Sequence, residues 1–351
     1  MKKYVLVDSH NLFFKSAGIS QRCPIDLKVG LCLNIFLNSL NSANKIFNPD
    51  HFVLCVDSKS WRYDYYEKYK LMRRKKFLEM TPKEKEEYEL LMESYKDLID
   101  FFNNGTNLSV LKCDKLEADD LISFWIKIHE NDENIILSQD SDFIQLLRNK
   151  NTKIYNSNKN IIIDQSGCFD LKNRAINFYI DSKGKIRFKE KEKKLSERSL
   201  NESTTNSNKS DYEKYWYEWA LFLKIMRGDL SDGIESVLPN VRKKILLEAF
   251  NDRIKKGFDW NKLMYQEIFD GEKKVRVIDR YKFNKLLIDL ESQPDEIKKL
   301  GLSYIESIGS KKNNKNIGFS FLKFCNKYGL KRIEQNQIHF INFLAKSYEK
   351  N

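Results

Sequence analysis

Acidic residues in this chain stand where short apolar runs end. Asp8 follows Tyr4-Val5-Leu6-Val7, Asp57 follows the run Phe52 to Val56, and Asp140 and Asp142 follow Asn134 to Ser138. Glu117-Ala118-Asp119-Asp120 opens the apolar stretch Leu121 to Trp125, and Asp229 with Asp232 flanks Leu230-Ser231. Gathered in one place, so many carboxylates would repel one another and hold some groups protonated, unless a divalent cation neutralises them. Hard oxygen donors, with few histidines and no paired thiols, suit Mg²⁺, with Mn²⁺ as a substitute. Taken singly, an Asp after a strand is more often a turn residue or helix N-cap. Glu117 to Asp120 could simply complement a helix dipole, and Asp229 with Asp232 could be an acidic loop. The conjunction favours a shared metal site.

The elements that must position these acids are legible as patterns. Tyr4 to Val7, Phe52 to Val56 and Asn134 to Ser138 have strand length and strand composition, and longer helical segments separate them. This predicts an α/β fold, a central, mainly parallel sheet flanked by helices. Acids following parallel strands share one edge, where open α/β sheets place their ligands. Val29, Leu33, Phe36, Leu40 and Ala43 mark a helix packed on the sheet, and Asn48-Pro49-Asp50 a turn. Thr152 to Tyr155 and Asn160 to Asp164 predict a β-hairpin around Asn156 to Lys159. Trp61 to about Tyr95 is charged and aromatic without a wide apolar stripe, which predicts a solvent-bridging helical insertion.

The spacing implies a core over 1–182 with an insertion over about 58–110. A basic, polar linker or loop follows over 183–211, whose composition cannot offset the entropy of ordering it. A helical C-terminal part over 212–351 begins at Trp216, Trp219 and Leu221, with further helices near Lys243 to Phe250 and Gln337 to Tyr348.

The 351 residues carry 62 Lys plus Arg against 50 Asp plus Glu, a net charge of +12 that favours a polyanionic partner. Cys23, Cys32, Cys55, Cys113, Cys168 and Cys325 lie far apart, which argues against a zinc site and fits a reducing compartment. No apolar run of about 18 residues predicts a membrane span, and the N-terminus lacks the pattern of an export signal.

The segments Val5-Leu6-Val7-Asp8, Val53 to Asp57, Glu117 to Asp120, Leu137 to Phe143 and Gly228 to Asp232 together resemble the 5′-nuclease (flap endonuclease) family, its bacteriophage members especially. The resemblance runs in family order from residue 4 to about 240. It implies a PIN-like core holding two divalent metals through Asp8, Asp57, Glu117, Asp119, Asp120, Asp140, Asp142, Asp229 and Asp232, directly or through water. Asp140 is thereby assigned to the chemistry. Glu117 and Asp119 would diverge on a regular helix, so the helix is expected to start at that segment.

Trp61-Arg62, Tyr69-Lys70 and Arg73-Arg74 resemble the family's helical arch, under which a single-stranded 5′ end passes. Interleaved cations and aromatics neutralise phosphate and stack bases, the latter worth roughly 1–3 kcal/mol per base. Lys70 and Arg73 are then catalytic cations at the scissile phosphate, with Arg62, Tyr69 and Arg74 along the nucleic-acid path. After Asp232, Gly233 to Val241 replaces the family's glycine-bearing hairpin, leaving Arg242, Lys243 and Lys244 to meet phosphate.

The implied activity is metal-dependent 5′ to 3′ hydrolysis of RNA primers, 5′ DNA ends and flaps in phage-type DNA replication, including ribonuclease H activity. Implied partners are DNA and RNA–DNA hybrids, a single-stranded-DNA-binding protein and a sliding clamp. The protein would act as a monomer, off the membrane, in the cytoplasm of the host cell if phage-encoded. Two other readings fit the acids alone: a carboxylate ribonuclease acting on single-stranded RNA, and a non-catalytic branched-DNA-binding protein.

Overall fold

The computed structural model describes residues 1–19, 23–188, 214–270, 273–310 and 314–350. Five parallel strands form most of its main sheet: β1 (Lys3–Asp8), β2 (His51–Cys55), β3 (Ser109–Leu111), β4 (Glu133–Leu137) and β5 (Thr152–Asn156). β6 (Ile161–Asp164) and β7 (Gly167–Asp170) extend it antiparallel, giving the order β3-β2-β1-β4-β5-β6-β7. The mainly parallel sheet flanked by helices is thus the predicted one, and the β5–β6 hairpin falls where the sequence placed it. β3 is too short to have announced itself.

β1 is covered on both faces and pairs on both edges, Leu6 with Val53 and Ile136, Val7 with Leu54 and Leu137. Such a strand reads as an unbroken apolar run. Its alternate residues serve two cores. Tyr4 and Leu6, with Val53, Cys55 and Ile136, face α6 (Ala118–Ile128), and the same core extends to α7 (Trp216–Arg227). Val5 and Val7, with Phe52, Leu54 and Ile135, face α2 (Ile25–Phe47), which follows α1 (Ser9–Ile19). Strand order reverses between β1 and β4, so a crevice opens there beyond the carboxyl ends of the strands.

The insertion between β2 and β3 holds α3 (Arg62–Tyr65), α4 (Leu71–Leu78) and α5 (Pro82–Gly105). α5 opens with Pro82 behind a reciprocal cap in which Thr81 and Glu84 satisfy each other's backbone donors. Only part of this stretch stands away from the core, which corrects the expected arch of about 58–110. α4 buries nothing, whereas Leu91, Tyr95, Leu98, Phe101 and Phe102 pack beneath the sheet. These sit at helical spacing, but the charged first half of α5 masks the stripe.

The C-terminal stretch is helical as expected: α8 (Lys243–Asp252), α9 (Phe258–Met264), α10 (Val277–Ile288), α11 (Asp295–Ser307), α12 (Ile317–Lys327), α13 (Lys331–Gln335) and α14 (Gln337–Leu344). Leu221, Ile225, Ile234, Leu287 and Ile288 form a small cluster with Tyr69, and most of the stretch's other buried apolar residues join the two cores of the sheet. α7 to α9 join the first core, while Phe321, Phe324, Phe340 and Phe343 of α12 and α14 join the second. Two hairpins went unforeseen, β8 (Phe178–Ile180) with β9 (Ile186–Phe188), and β10 (Glu267–Asp270) with β11 (Lys273–Arg276). The first corrects the start of the predicted linker, since 183–188 belong to a structured turn and strand. The remainder, 189–211, lies outside the described residues. No described helix is long and apolar enough to cross a membrane.

Candidate active site

Asp8 ends β1, Asp57 lies two residues past β2, Asp140 and Asp142 follow β4, and Glu117 and Asp119 stand at the start of α6. All of them line one cleft of about 120 Å³, together with Asp232, Lys70 and Arg73. Local hydrogen bonds fix each acid. Asp8 accepts from the Asn11 backbone N–H and from Ser138 Oγ, each at 3.3 Å. The Asn11 side-chain amide donates to Asp140 at 3.3 Å, and Asp140 caps the 3₁₀ turn Ser141–Arg148 by accepting from the Asp142 N–H at 3.1 Å. Asp57 accepts from the Ala118 N–H at 2.8 Å, docking the first turn of α6 onto the loop after β2. Capping and site-building coincide at Asp140, whose side chain accepts the capping bond, while Glu117 stands at the N-cap position of α6 with its N–H donating to Asp120 at 3.2 Å.

Charge in this crevice is only partly balanced. Burial, reinforced by Asp57 and Asp140, pushes the Asp8 carboxyl up to about 8. Burial likewise raises Asp119, with Asp120 adding to the effect. Burial would raise Glu117 too, but the Lys70 and Arg62 cations outweigh it and hold the group down at about 2. Asp142 is raised to about 6 by burial despite its ion pair with Lys224. Oxygens of Glu117, Asp119 and Asp120 come within 4.8 Å of one another, and of these three only Asp119 has no cationic partner among the described residues. An all-oxygen donor set carrying excess negative charge fits hard divalent cations.

Lys70 starts α4 in the left-handed region, at φ +53°, and its N–H donates to the Asp232 carbonyl at 2.8 Å. Its ammonium reaches Glu117, and Arg73 meets Asp232 at 2.6 Å. Gly233, at φ +76°, lets this loop press on the arch base, since a Cβ there would stand 2.5 Å from the Lys68 carbonyl oxygen. Asp232 is thereby brought to the cleft. Asp229 turns instead toward Lys224 (2.9 Å) and Ser231, whose donors hold its carboxyl well below the usual range although burial opposes them.

Several predicted roles need correction. Arg62 is 2% exposed, its guanidinium bonded to Glu117, to both oxygens of Asp120 and to the Leu287 carbonyl. Its guanidinium is turned to these buried groups and away from the surface. Asp120 is fully buried in that pair, behind the cleft rather than in it. Tyr69 lines the cleft but is largely buried, donating to Glu117 at 2.8 Å. Sequence alone could not separate cations facing solvent from cations facing acids. Arg74 stays near the surface over the Tyr63 ring. Arg242, Lys243 and Lys244 are accessible around the start of α8 and do not line the cleft.

Four contributors escaped the sequence reading. Asn11 and Ser138 orient Asp8 and Asp140; His10 lines the cleft with its Nδ1 3.8 Å from Asp57; Lys224 joins Asp142 to Asp229. Asn11, Ser138 and His10 lie within three residues of a predicted acid, the one signal that could have found them. Lys224 had none, being one basic residue in an apolar helix.

Residues 3–172 match the family model described as the 5′-3′ exonuclease, N-terminal resolvase-like domain. No curated protein sequence matches the chain. Among solved structures, the chain is similar to the flap endonuclease of bacteriophage T5 in a pseudo-enzyme–product complex with DNA and metal ions, at TM-score 0.55 and 17% identity over 87% of this chain and 99% of that one. A second structure of the T5 protein, co-crystallised with metal ions, superposes at TM-score 0.54 and 17% identity, covering 86% and 98%. The T5 5′-exonuclease with bound zinc does so at 0.50 and 16%, covering 95% and 99%. At these identities the likeness shows a common fold. Residues 3–172 thus carry the pattern of the 5′-3′ exonuclease N-terminal domain on that fold, and over that stretch the chain resembles the 5′-nuclease family.

Proposed function

We propose that the protein is a Mg²⁺-dependent 5′ to 3′ nuclease that removes RNA primers, 5′ DNA ends and flaps during phage-type DNA replication. One observation carries this reading: acids from the ends of β1, β2 and β4 and the start of α6 meet in one cleft beside Lys70 and Arg73. Asp8, Asp57, Asp119, Asp140 and Asp142 would hold two divalent ions, with Glu117, Asp232 and the more remote Asp120 and Asp229 acting through water or neighbouring cations. Bound ions supply a lowered pKa for the attacking water and stabilise the leaving oxygen. The chain's own groups do the rest. Lys70 and Arg73 offset charge developing on the phosphate, and the exposed α4 of the arch offers Arg74, Lys75 and Lys76 to the single strand.

Mn²⁺ is expected to replace Mg²⁺. The substrate reading extends to RNA–DNA hybrids, hence to ribonuclease H activity. A monomer working in the cytoplasm of a phage-infected host beside a single-stranded-DNA-binding protein and a sliding clamp is the corresponding setting. The test is product analysis on labelled flap, nicked and primer-hybrid substrates, with and without Mg²⁺. Metal-dependent products bearing 5′-phosphates support the reading. Cleavage confined to single-stranded RNA, or flap binding without cleavage, overturns it. Asp140→Asn should abolish cleavage while flap binding persists.

A further inference from the structure

A second cleft of about 450 Å³ lies between the β8–β9 turn and the last turn of α7, with Lys224 and Asp229 in its lining. Its lining is basic: Lys183 and Lys185 from the turn face Lys224 and Arg227 from the helix. The one acid there, Asp229, already faces Lys224 and Ser231. Cations at a helix C-terminus ordinarily complement its dipole, which accounts for Lys224 and Arg227. It does not account for the hairpin.

That turn is built to lie on the helix. Asp181 gathers it by accepting from the N–H groups of Lys183 and Lys185 at 2.9 and 3.0 Å and from Arg187 Nε at 2.9 Å. Gly184, at φ +78°, then presses against α7 so closely that a Cβ would stand 2.4 Å from the Ala220 carbonyl oxygen. Asp181 is thus engaged by Arg187, and neither lysine ammonium forms an ion pair among the described residues. Arg227 donates to the Val241 carbonyl at 2.6 Å, leaving its buried Nε without a hydrogen-bond partner among the described residues. A buried orphan donor costs about 1–3 kcal/mol and calls for an acceptor.

We infer that this basic cleft binds a backbone phosphate of the nucleic-acid substrate, flanking the one that is cut. The inference rests on the nuclease reading above. Lys224 of this cleft pairs with Asp142 of the acid cleft, which sets the two side by side, so a polyanion in the acid cleft passes the basic one with a flanking phosphate. Lys183 and Lys185 supply the charge, Arg227 a further cation in the lining, and Gly184 the position.

The test measures binding of a labelled flap DNA to the full chain in EDTA, across a series of NaCl concentrations. Lys183→Ala with Lys185→Ala should weaken binding about tenfold and reduce the salt slope by about one, for the one phosphate that is no longer neutralised. Gly184→Ala keeps every charge but lifts the turn, and should weaken binding as well. Single methylphosphonate substitutions along the flap should reveal one flanking position at which wild type loses affinity and the double variant does not. Unchanged affinity and slope in the double variant, or identical methylphosphonate profiles in both proteins, would overturn the inference. Retained affinity in Gly184→Ala, with its thermal unfolding intact, would overturn the positioning. Inorganic phosphate competing at millimolar concentration with wild type but equally with the double variant would place the anion elsewhere. Metal-dependent cleavage by wild type, assayed separately, reports on the nuclease reading alone.

Discussion

The backbone N–H of Lys70 donates to the carbonyl oxygen of Asp232 at 2.8 Å, and the base of the arch is thereby tied to the acidic loop beyond α7. The bond holds Lys70 in the left-handed region, a conformation that costs a non-glycine residue on the order of 1 kcal/mol or more and persists only where the surroundings enforce it. The consequence is an ammonium fixed at the cleft rather than waving from a helix. Lys70→Ala should slow single-turnover cleavage about 10²-fold, the effect of removing one donor from developing charge, with a much smaller change in flap affinity. Affinity lost while the saturated rate stays constant would reduce Lys70 to a binding role.

Gly233 tests the same tie from the other side. Its missing Cβ admits the Lys68 carbonyl, so Gly233→Ala must move the loop or the arch base while leaving every charged group in place. The expected outcome is an intermediate loss of rate, about tenfold as geometry slips, without loss of the folded state by circular dichroism. A rate equal to wild type would show that the loop does not set the position of Lys70.

Arg62 is a structural cation, and its variants should behave as stability mutants. Removing it strands Asp120 in the interior, while Glu117 keeps Lys70 and Tyr69; for a broken buried pair the cost is roughly 3–5 kcal/mol. Arg62→Ala should lower the melting temperature markedly. Arg62→Lys should rescue little, because one ammonium cannot reproduce the fork that serves two carboxylates and the Leu287 carbonyl. Unchanged thermal unfolding together with weakened DNA binding would return Arg62 to the substrate path.

The case of Arg62 shows where sequence reading stops. Strand ends, and hence the acids that follow them, are local: an apolar run of fixed length followed by Asp8, Asp57 or Asp140 announces both the sheet edge and the site. Sidedness is not local. Whether a cation between aromatics faces water or an acid depends on which helix packs over it, here α6 and the end of α10, remote in the chain. The same limit hid the apolar half of α5 behind its charged half and Lys224 inside an apolar helix. It also hid the sharing of C-terminal helices between the two faces of the sheet, because any amphipathic helix can pack on either.

Asp8 should reveal the electrostatic load of the metal-free cleft. Its carboxyl is pushed up to about 8 by burial and by Asp57 and Asp140, whereas an unfolded Asp titrates near 4. The folded state therefore holds a proton that the unfolded chain releases. Stability from this group is present below about pH 4, falls as pH rises, and is lost once pH passes about 8. In EDTA at pH 8, Asp8→Asn should melt above wild type, and the difference should vanish toward pH 4. Adding Mg²⁺ should raise the melting temperature of wild type by ligand linkage, and that of Asp8→Asn much less. Equal responses of the two proteins to Mg²⁺ would remove Asp8 from the metal site.

Lys224 offers the reciprocal experiment. Its ammonium pairs with both Asp142 and Asp229, and these acids raise its pKa although burial opposes them. Removing the cation as Lys224→Met keeps the length of the side chain but leaves two carboxylates without their counter-charge. In EDTA the variant should unfold at lower temperature than wild type, since each acid then carries an uncompensated desolvation penalty. A divalent ion can supply part of the missing charge, so the Mg²⁺-induced rise in melting temperature should be larger in the variant than in wild type. Cleavage should nonetheless fall, because Asp142 is deprived of the ion pair that orients it. Calorimetry of the two proteins at matched Mg²⁺ concentrations decides the matter: a smaller metal-induced rise in Lys224→Met would mean that Lys224 assembles the site rather than standing in for metal charge within it.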